Sequence, residues 1–333
     1  MNKMFCMIAS MALALGLGAC SGGNSQCGKA AEAPEFVELG SFAPDSAYAY
    51  VEKQVSFGPR IPGTDAHKQC RQWLADKLSQ FGADTVKIMG EPFTAWDGKE
   101  LQVYNIFAQY KPEAQKRILL LAHYDTRPWA DHDNNSDFHD KPFDGANDGA
   151  SGVAVLLEIA RNLQMKAPEV GVDILLTDVE DYGVRSGVEL PDADDSWCIG
   201  SQQFASNMPY TAVNRPIMGI LLDMVGGQGA RFHKEYFSNR YASEATAKVW
   251  SMASRLGLTD RFINTEGGAI TDDHIPLIRA GIPTVDIIEN INYQTNGFNP
   301  TWHTHADNLQ NIDRAPMNDV GRVVLNVIYN TKP

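Results

Sequence analysis

Four short apolar runs most constrain how this chain can fold. RILLLAH (117–123), VDILLTD (172–178), IMGILLD (217–223) and IPTVDII (282–288) are rich in Ile, Leu and Val and show little alternation with polar residues. A strand that is apolar on both faces must be covered on both faces, which is the pattern of a largely parallel sheet. Helical periodicity falls between or after the runs, over 64–82, 150–163, 200–207, 241–256, 274–280 and 315–329. In the first of these, Cys70, Trp73, Leu74, Leu78 and Phe81 share one face, and Gly82 is the stop. Further strands are expected at 84–89 and 101–109. The expected class is α/β: a mostly parallel, mixed central sheet flanked by helices on both faces. No internal repeat is present.

Sheets of this kind bind ligands beyond the C-terminal ends of their strands. His123 and Asp125 follow the first run, and Asp178, Glu180 and Asp181 follow the second. Asp223 closes the third, and the fourth leads into a long loop carrying Trp302 and His303. A single acid at a strand end is ordinarily a cap or a turn residue. Four strands delivering acids or histidine to one edge point to a site. Glu180 and Asp181 are adjacent, so their side chains diverge and serve different roles.

The N-terminus reads as an export signal. Lys3 precedes an apolar stretch from Met7 to Gly18, too short to span a membrane, and LGAC (17–20) resembles a bacterial lipobox with Cys20 as the lipidated residue. The expected organisation is a lipoprotein signal over 1–19, a flexible tether over 20–40 and a single domain over 41–333. The expected location is the membrane-anchored periplasmic space of a Gram-negative bacterium. Loss of Lys3 moves the net charge from −13 to −14, which disfavours nucleic-acid partners. Cys27, Cys70 and Cys198 remain in the mature chain without any C-x-x-C spacing, so a thiolate metal site is not expected. A Cys70–Cys198 disulfide is one option.

Oxygen and imidazole donors without thiolate suit zinc, and a catalytic zinc takes three protein ligands and keeps one open position. The candidate ligands are Asp148 in GANDGASG (145–152), Asp181 and His303. Asp148 has a competing reading as the N-cap of the helix at 150–163. The stretch WADHDNNSDFHDKPFDG (129–145) begins with an EF-hand-like spacing at Asp131, Asp133 and Asn135, but Ser136 replaces the required Gly and Pro142 the required Glu. It reads as an acidic rim loop with solvated His132 and His139.

HYDT (123–126), GANDGASG, EDYG (180–183), LLDMVG (221–226), TDDHIPLIRAGIPTVDII (271–288) and WHTHADNLQNID (302–313) occur in this order. Over residues 45–330 the chain is similar to the zinc aminopeptidase superfamily. More narrowly, it resembles the zinc-dependent glutaminyl cyclases of animals and bacteria, which share that fold. The resemblance implies one zinc ion per chain, held by Asp148, Asp181 and His303. It implies Glu180 as the acid/base, with Asp223 and Asp272 as a hydrogen-bonded carboxylate pair beside it. The peptide bond after Asp148 is expected to be cis. The implied reaction converts the N-terminal glutamine of peptides or proteins to pyroglutamate with loss of ammonia.

Two features depart from the animal pattern. Glu180-Asp181 stands where animal cyclases resemble Glu-Glu, and the loop VRSGVELPDADDSWC (184–198) lengthens the rim. Trp197 there is either a pocket wall or a loop anchor. A co-catalytic dinuclear aminopeptidase is the alternative, with a second zinc on His123 and Asp223 and Asp148 bridging. A binding protein on an enzyme fold is a third reading. Asp272 and Asp273 before the helix at 274–280, Trp302 against His303, and Phe298 in the same loop as a pocket wall favour the cyclase.

Overall fold

The computed structural model describes residues 37–333. The leader, Cys20, Cys27 and most of the tether lie outside the described residues. The strands are β1 (Thr85–Met89), β2 (Pro92–Thr94), β3 (Glu100–Gln102), β4 (Asn105–Tyr110), β5 (Arg117–His123), β6 (Gly171–Thr177), β7 (Met218–Leu222), β8 (Phe232–Lys234), β9 (Phe262–Glu266) and β10 (Thr284–Ile287). The helices are α1 (Pro44–Val55), α2 (Asp65–Gln80), α3 (Ala150–Met165), α4 (Ile199–Ser206), α5 (Tyr236–Tyr241), α6 (Ser243–Arg255), α7 (His274–Arg279) and α8 (Arg314–Tyr329). No helix among the described residues is long and apolar enough to cross a membrane.

The four apolar runs are the centre of a six-stranded sheet, ordered β1-β4-β6-β5-β7-β10. β6, β5, β7 and β10 run parallel, and β4 and β1 complete the sheet antiparallel. Leu119, Leu121, Leu175 and Leu221 project to one side, where Phe204 of α4 and Leu277 of α7 close over them. Burying each such side chain contributes about 1.5–3 kcal/mol. α3 crosses the sheet with α1 and α8 packed against it. Gly152 allows that crossing, because a Cβ there would overlap the Leu222 carbonyl.

Register brings the strand ends level. His123 pairs with Thr177, Leu121 with Leu221, and Leu222 with Ile287. Asp173, the polar break in β6, serves the opposite end of the sheet. It takes a bidentate bond from buried Arg117 at 2.6 and 2.9 Å, and a third bond from the Tyr210 hydroxyl at 2.7 Å.

Several elements differ from expectation. The strand expected over 101–109 breaks after β3, because the Tyr104 N–H is taken by the Asp178 carboxylate at 2.8 Å instead of by a neighbouring strand. α1 was not predicted. Its buried stripe of Ala47, Val51 and Gln54 is small and partly polar, and Gln54 uses its amide to bond the Ala150 carbonyl at the head of α3 at 3.0 Å. Glu38–Gly40, assigned to the tether by composition, are held on α8: Leu39 N donates to Asn326 at 2.7 Å and Glu38 pairs with Arg322 at 2.7 Å. The compact unit accordingly begins at Glu38. Cys70 and Cys198 are both free and buried, so no disulfide joins them. Cys70 packs inside α2, whereas Cys198 stands beside Glu180.

Candidate active site

The edge formed by the strand ends gathers the chemistry. Asp148 lies just before α3. Gly149, not Asp148, is the N-cap of that helix, and no side chain caps it, so the Asp148 carboxylate is free for the site. The Asp148–Gly149 peptide is cis, and a Cβ on Gly149 would collide with His123. The N–H groups of Asn147 and Asp148 are held by the Asp307 carboxyl at 2.7 and 3.1 Å. Burial and the nearby Asp148 charge push the Asp307 pKa up to about 8.

The loop after β6 is held by carboxylates and by a second segment of chain. Asp125 accepts the N–H groups of Glu180 and Asp181 at 3.1 and 3.2 Å. Cys198 N donates to the Glu180 carbonyl at 3.0 Å, and the Cys198 thiol reaches Glu180 Oε1 at 3.3 Å. Asp178, at the same strand end, belongs to a structural contact instead: it meets His67 at 2.8 Å. Val179, Met224 and His303 all hold positive φ, at 53°, 47° and 53°. Such backbone costs about 1–3 kcal/mol per residue and gathers at functional sites. Here it flanks Glu180, follows Asp223 and falls on His303 itself.

Donor atoms of Asp148, Asp181 and His303 lie within 4.8 Å of one another, all three residues buried. His303 Nε2 is 3.0 Å from Asp181 Oδ1 and 3.4 Å from Asp148 Oδ2. Ligands about 2.0 Å from a tetrahedral zinc stand about 3.3 Å apart, so two carboxylates and one imidazole here fit that ion. Their outer partners are in place. Arg127 N donates to Asp181 Oδ2 at 2.9 Å, and the Arg127 guanidinium grips Asp131 at 2.8 and 2.7 Å. Asp131 in turn faces His303 Nδ1 at 3.8 Å. A carboxylate behind a metal-binding imidazole orients it and raises its basicity. Asp131 was read from the sequence as part of an acidic rim loop, yet it is buried. Its neighbour His132 is exposed and packs tilted against Trp302, while His139 is half-buried and bonds the Asp133 carbonyl at 2.7 Å.

A second donor set also exists. His123 Nε2 is 2.9 Å from Asp148 Oδ1 and is aligned as a hydrogen bond on Asp223 Oδ1 at 3.2 Å. Beyond Asp223 lies Asp272. Burial first, then the charges of Asp223 and Asp273, raise the Asp272 pKa well above the usual carboxylate range. Glu180 is raised well above its usual range too, by burial foremost and by Asp272, Asp181 and Asp273, against the lowering pull of His123.

A cavity of about 220 Å³ opens over this cluster. Asp148, Asp181, His303, Glu180, Asp223 and Asp272 face it, and Phe298, Trp302, Ile270 and Ile288 wall it. Trp302 stacks on His303 with centroids 4.0 Å apart and packs tilted against Phe298 at 4.6 Å. Trp197 is both wall and anchor. It lines the cavity, lies parallel to His303 at 6.2 Å and packs so tightly on Gly183 that no Cβ would fit. The structure thus brings all eight residues expected at the catalytic, metal and substrate positions to one cavity. Asp125 was placed at the site edge from sequence without a role; Arg127, Asp131, Asp307 and Cys198 were not assigned to the site. Asp307 lies inside the motif at 302–313, and the others had no signal beyond proximity to a motif.

The profile of peptidase family M28 matches residues 105–328. The chain belongs to peptidase family M28. It is 48% identical to a glutaminyl cyclase of Bacteroides thetaiotaomicron solved with N-acetylhistamine, with a TM-score of 0.84 over 88% of this chain and 99% of that one. It is 47% identical to a protein of the same organism described as a leucine aminopeptidase precursor, with a TM-score of 0.84 over 89% of this chain and 100% of that one. The bovine (Bos taurus) glutaminyl-peptide cyclotransferase is 26% identical over 295 residues, spanning 80% of this chain and 76% of the relative.

Proposed function

We propose that this M28 member is a zinc-dependent glutaminyl-peptide cyclotransferase with one zinc per chain, acting on peptides or proteins that begin with glutamine. The observation that carries the reading is the cavity of about 220 Å³, walled by Phe298, Trp302, Ile270 and Ile288, with Asp223 and Asp272 both lining it. It suits one folded side chain, and it turns the Asp223 side of the cluster into a carboxylate pair. Close structural likeness to a bacterial glutaminyl cyclase supports the same reading.

Asp148, Asp181 and His303 would hold the zinc, which supplies Lewis-acid polarisation of the substrate's side-chain amide carbonyl. The chain's own residues do the rest. The aromatic walls hold the glutamine side chain curled over its own α-amine, so the nucleophile and the carbonyl carbon are pre-positioned for a five-membered ring. Glu180 takes a proton from the attacking amine. The new C–N bond forms, the amide C–N bond breaks, and Glu180 returns the proton to the departing nitrogen, which leaves as ammonia. Burial raises the Glu180 pKa, matching it to a proton that is accepted and then donated. Asp223 and Asp272, two buried carboxyls in mutual repulsion, share a proton and face the leaving amide. No water is needed as nucleophile.

The peptide beyond the first residue leaves along a groove of about 470 Å³, which shares Trp197, Thr271 and Asp272 with the cavity and continues past Phe237, Tyr241 and Ile278. The N-terminal signal extends the proposal: the enzyme is exported and held at the periplasmic face by lipid on Cys20. A Cys20→Ser chain recovered in the membrane fraction as fully as wild type would exclude that anchor.

Paired assays decide between cyclase and dinuclear aminopeptidase, the second reading that His123, Asp148 and Asp223 keep open. Ammonia release from a Gln-initiated peptide, with little hydrolysis of a leucine anilide, is expected. Anilide hydrolysis without ammonia release would reverse the assignment.

A further inference from the structure

The loop that leaves β10 carries three of the cavity's walls, Ile288, Phe298 and Trp302, before it reaches His303. Glu289, the residue after Ile288, is buried and joins both ends of the turn that follows. Asn292 Nδ2 donates to Glu289 Oε1 and Asn299 Nδ2 to Glu289 Oε2, each at 2.9 Å. Both asparagines are buried as well. The turn between them closes on itself. Asn292 N donates to the Gly297 carbonyl at 2.7 Å and Asn296 N to the Asn292 carbonyl at 2.8 Å. The Thr295 hydroxyl donates to the Phe298 carbonyl at 2.5 Å.

Neither asparagine can turn its amide over. Asn292 Oδ1 accepts the Gln294 N–H at 2.8 Å, and Asn299 Oδ1 accepts the Thr301 N–H and hydroxyl at 3.1 and 2.9 Å. An amide whose oxygen is held by donors must offer its nitrogen to the remaining partner. Glu289 therefore meets an NH2 group on each side and needs an acceptor at both oxygens. A carboxylate supplies that; a carboxamide of the same shape does not. Burial disfavours the Glu289 anion, and the two amides, the Arg231 backbone and the Arg261 charge offset part of that cost. Asn299 in turn sits against Gly227, in the turn after Asp223, where a Cβ would press on its Nδ2. The Trp302 N–H donates to the Asn299 carbonyl at 2.9 Å. Phe298 beside Asn299, and Trp302 bonded to it, are thus placed by a residue that Glu289 holds.

We propose that Glu289 is a positioning residue for the substrate pocket: its carboxylate clamps Asn292 and Asn299 together and so fixes Phe298 and Trp302 as walls around the bound side chain. The proposal rests on the cyclase reading for the identity of that side chain, the glutamine of a Gln-initiated peptide, but not for the clamp itself. Glu289 lines no part of the cavity and acts only through the loop.

The test uses the zinc-loaded full chain and two variants of equal size. Glu289→Gln keeps one amide bond and sets its own NH2 against the other asparagine. Adding Asn299→Asp to it turns the second bond round, because the new amide then donates to the new carboxylate while Thr301 keeps its acceptor. A lost hydrogen bond to a charged group shifts an equilibrium by about tenfold or more, and apparent affinity falls with the fraction of chains whose pocket is formed. Glu289→Gln is therefore expected to raise KM for a Gln-initiated peptide about tenfold, with kcat within about threefold and zinc content as in wild type. The double variant should return KM to within about threefold of wild type. A single variant with wild-type KM, or a double variant no better than the single, would overturn the proposal. A loss confined to kcat, or loss of zinc, would also overturn it, because the effect would then lie at the reacting groups or at His303. Chymotrypsin cleavage after Tyr293, an exposed residue of the turn, reads the clamp without activity: it should quicken in Glu289→Gln and slow again in the double variant. Unchanged cleavage refutes the clamp. Should Glu289→Gln fail to fold, Asn292→Ala, which frees one end of the turn, must raise both KM and cleavage; wild-type values of either overturn the proposal. A wild type that releases no ammonia ends the cyclase reading, and the cleavage pattern still decides whether Glu289 holds the loop.

Discussion

Two donor clusters meet at Asp148, and they are made of the same residue types. Asp148, Asp181 and His303 form one; His123, Asp148 and Asp223 form the other. The donor spacings barely differ: 3.0 and 3.4 Å around His303, 2.9 and 3.2 Å around His123. What differs is their surroundings. His303 faces the cavity on one side and is backed by Asp131, which Arg127 locks on the other. His123 does not reach the cavity. Its Nδ1 faces Asp125 at 3.6 Å and Glu180 at 4.0 Å, and Asp223 turns onward to Asp272. Burial lowers the His123 pKa, but Asp125, Asp148 and Asp223 together raise it well above the usual histidine value. Donor type alone therefore does not set metal count; access and the outer shell do.

This contrast can be broken by substitution. The largest effect is expected at His303. His303→Ala should weaken zinc binding by more than about 100-fold, beyond what outer-shell changes cost, with activity falling in step; zinc retained at wild-type affinity would reject the ligand set. Next is Glu180→Gln. It should bind zinc normally while kcat drops by about two orders of magnitude or more, and normal turnover would remove Glu180 from proton transfer. The smallest is Asp131→Asn, one bond further out. It should cost about tenfold in zinc affinity, measured by competition with a chelator, and no change would make Asp131 merely an Arg127 partner.

Much of this was legible in the chain because parallel strands announce themselves. Runs such as RILLLAH are buried on both faces, and the residues just past them must share an edge, so Glu180, Asp181, Asp223 and His303 could be placed together without coordinates. The outer shell was not legible. Asp131 sits in a loop whose composition is that of an acidic rim, and bonds from Arg127 and the Ser186 N–H hold it inside. Cys198 reaches Glu180 because the backbone of residues 198–199 pairs with that of 179–180, a long-range contact with no local pattern. Elements with small or mixed interiors, α1 above all, were missed because Gln54 fills a core position by hydrogen bonding rather than by apolar burial.

The most direct measurement is a zinc titration of the metal-free chain, following ammonia release from a Gln-initiated peptide. Activity should rise linearly and level off at one zinc per chain. A rise that continues to two zincs per chain would contradict the account, because it would place a working ion on His123 and Asp223.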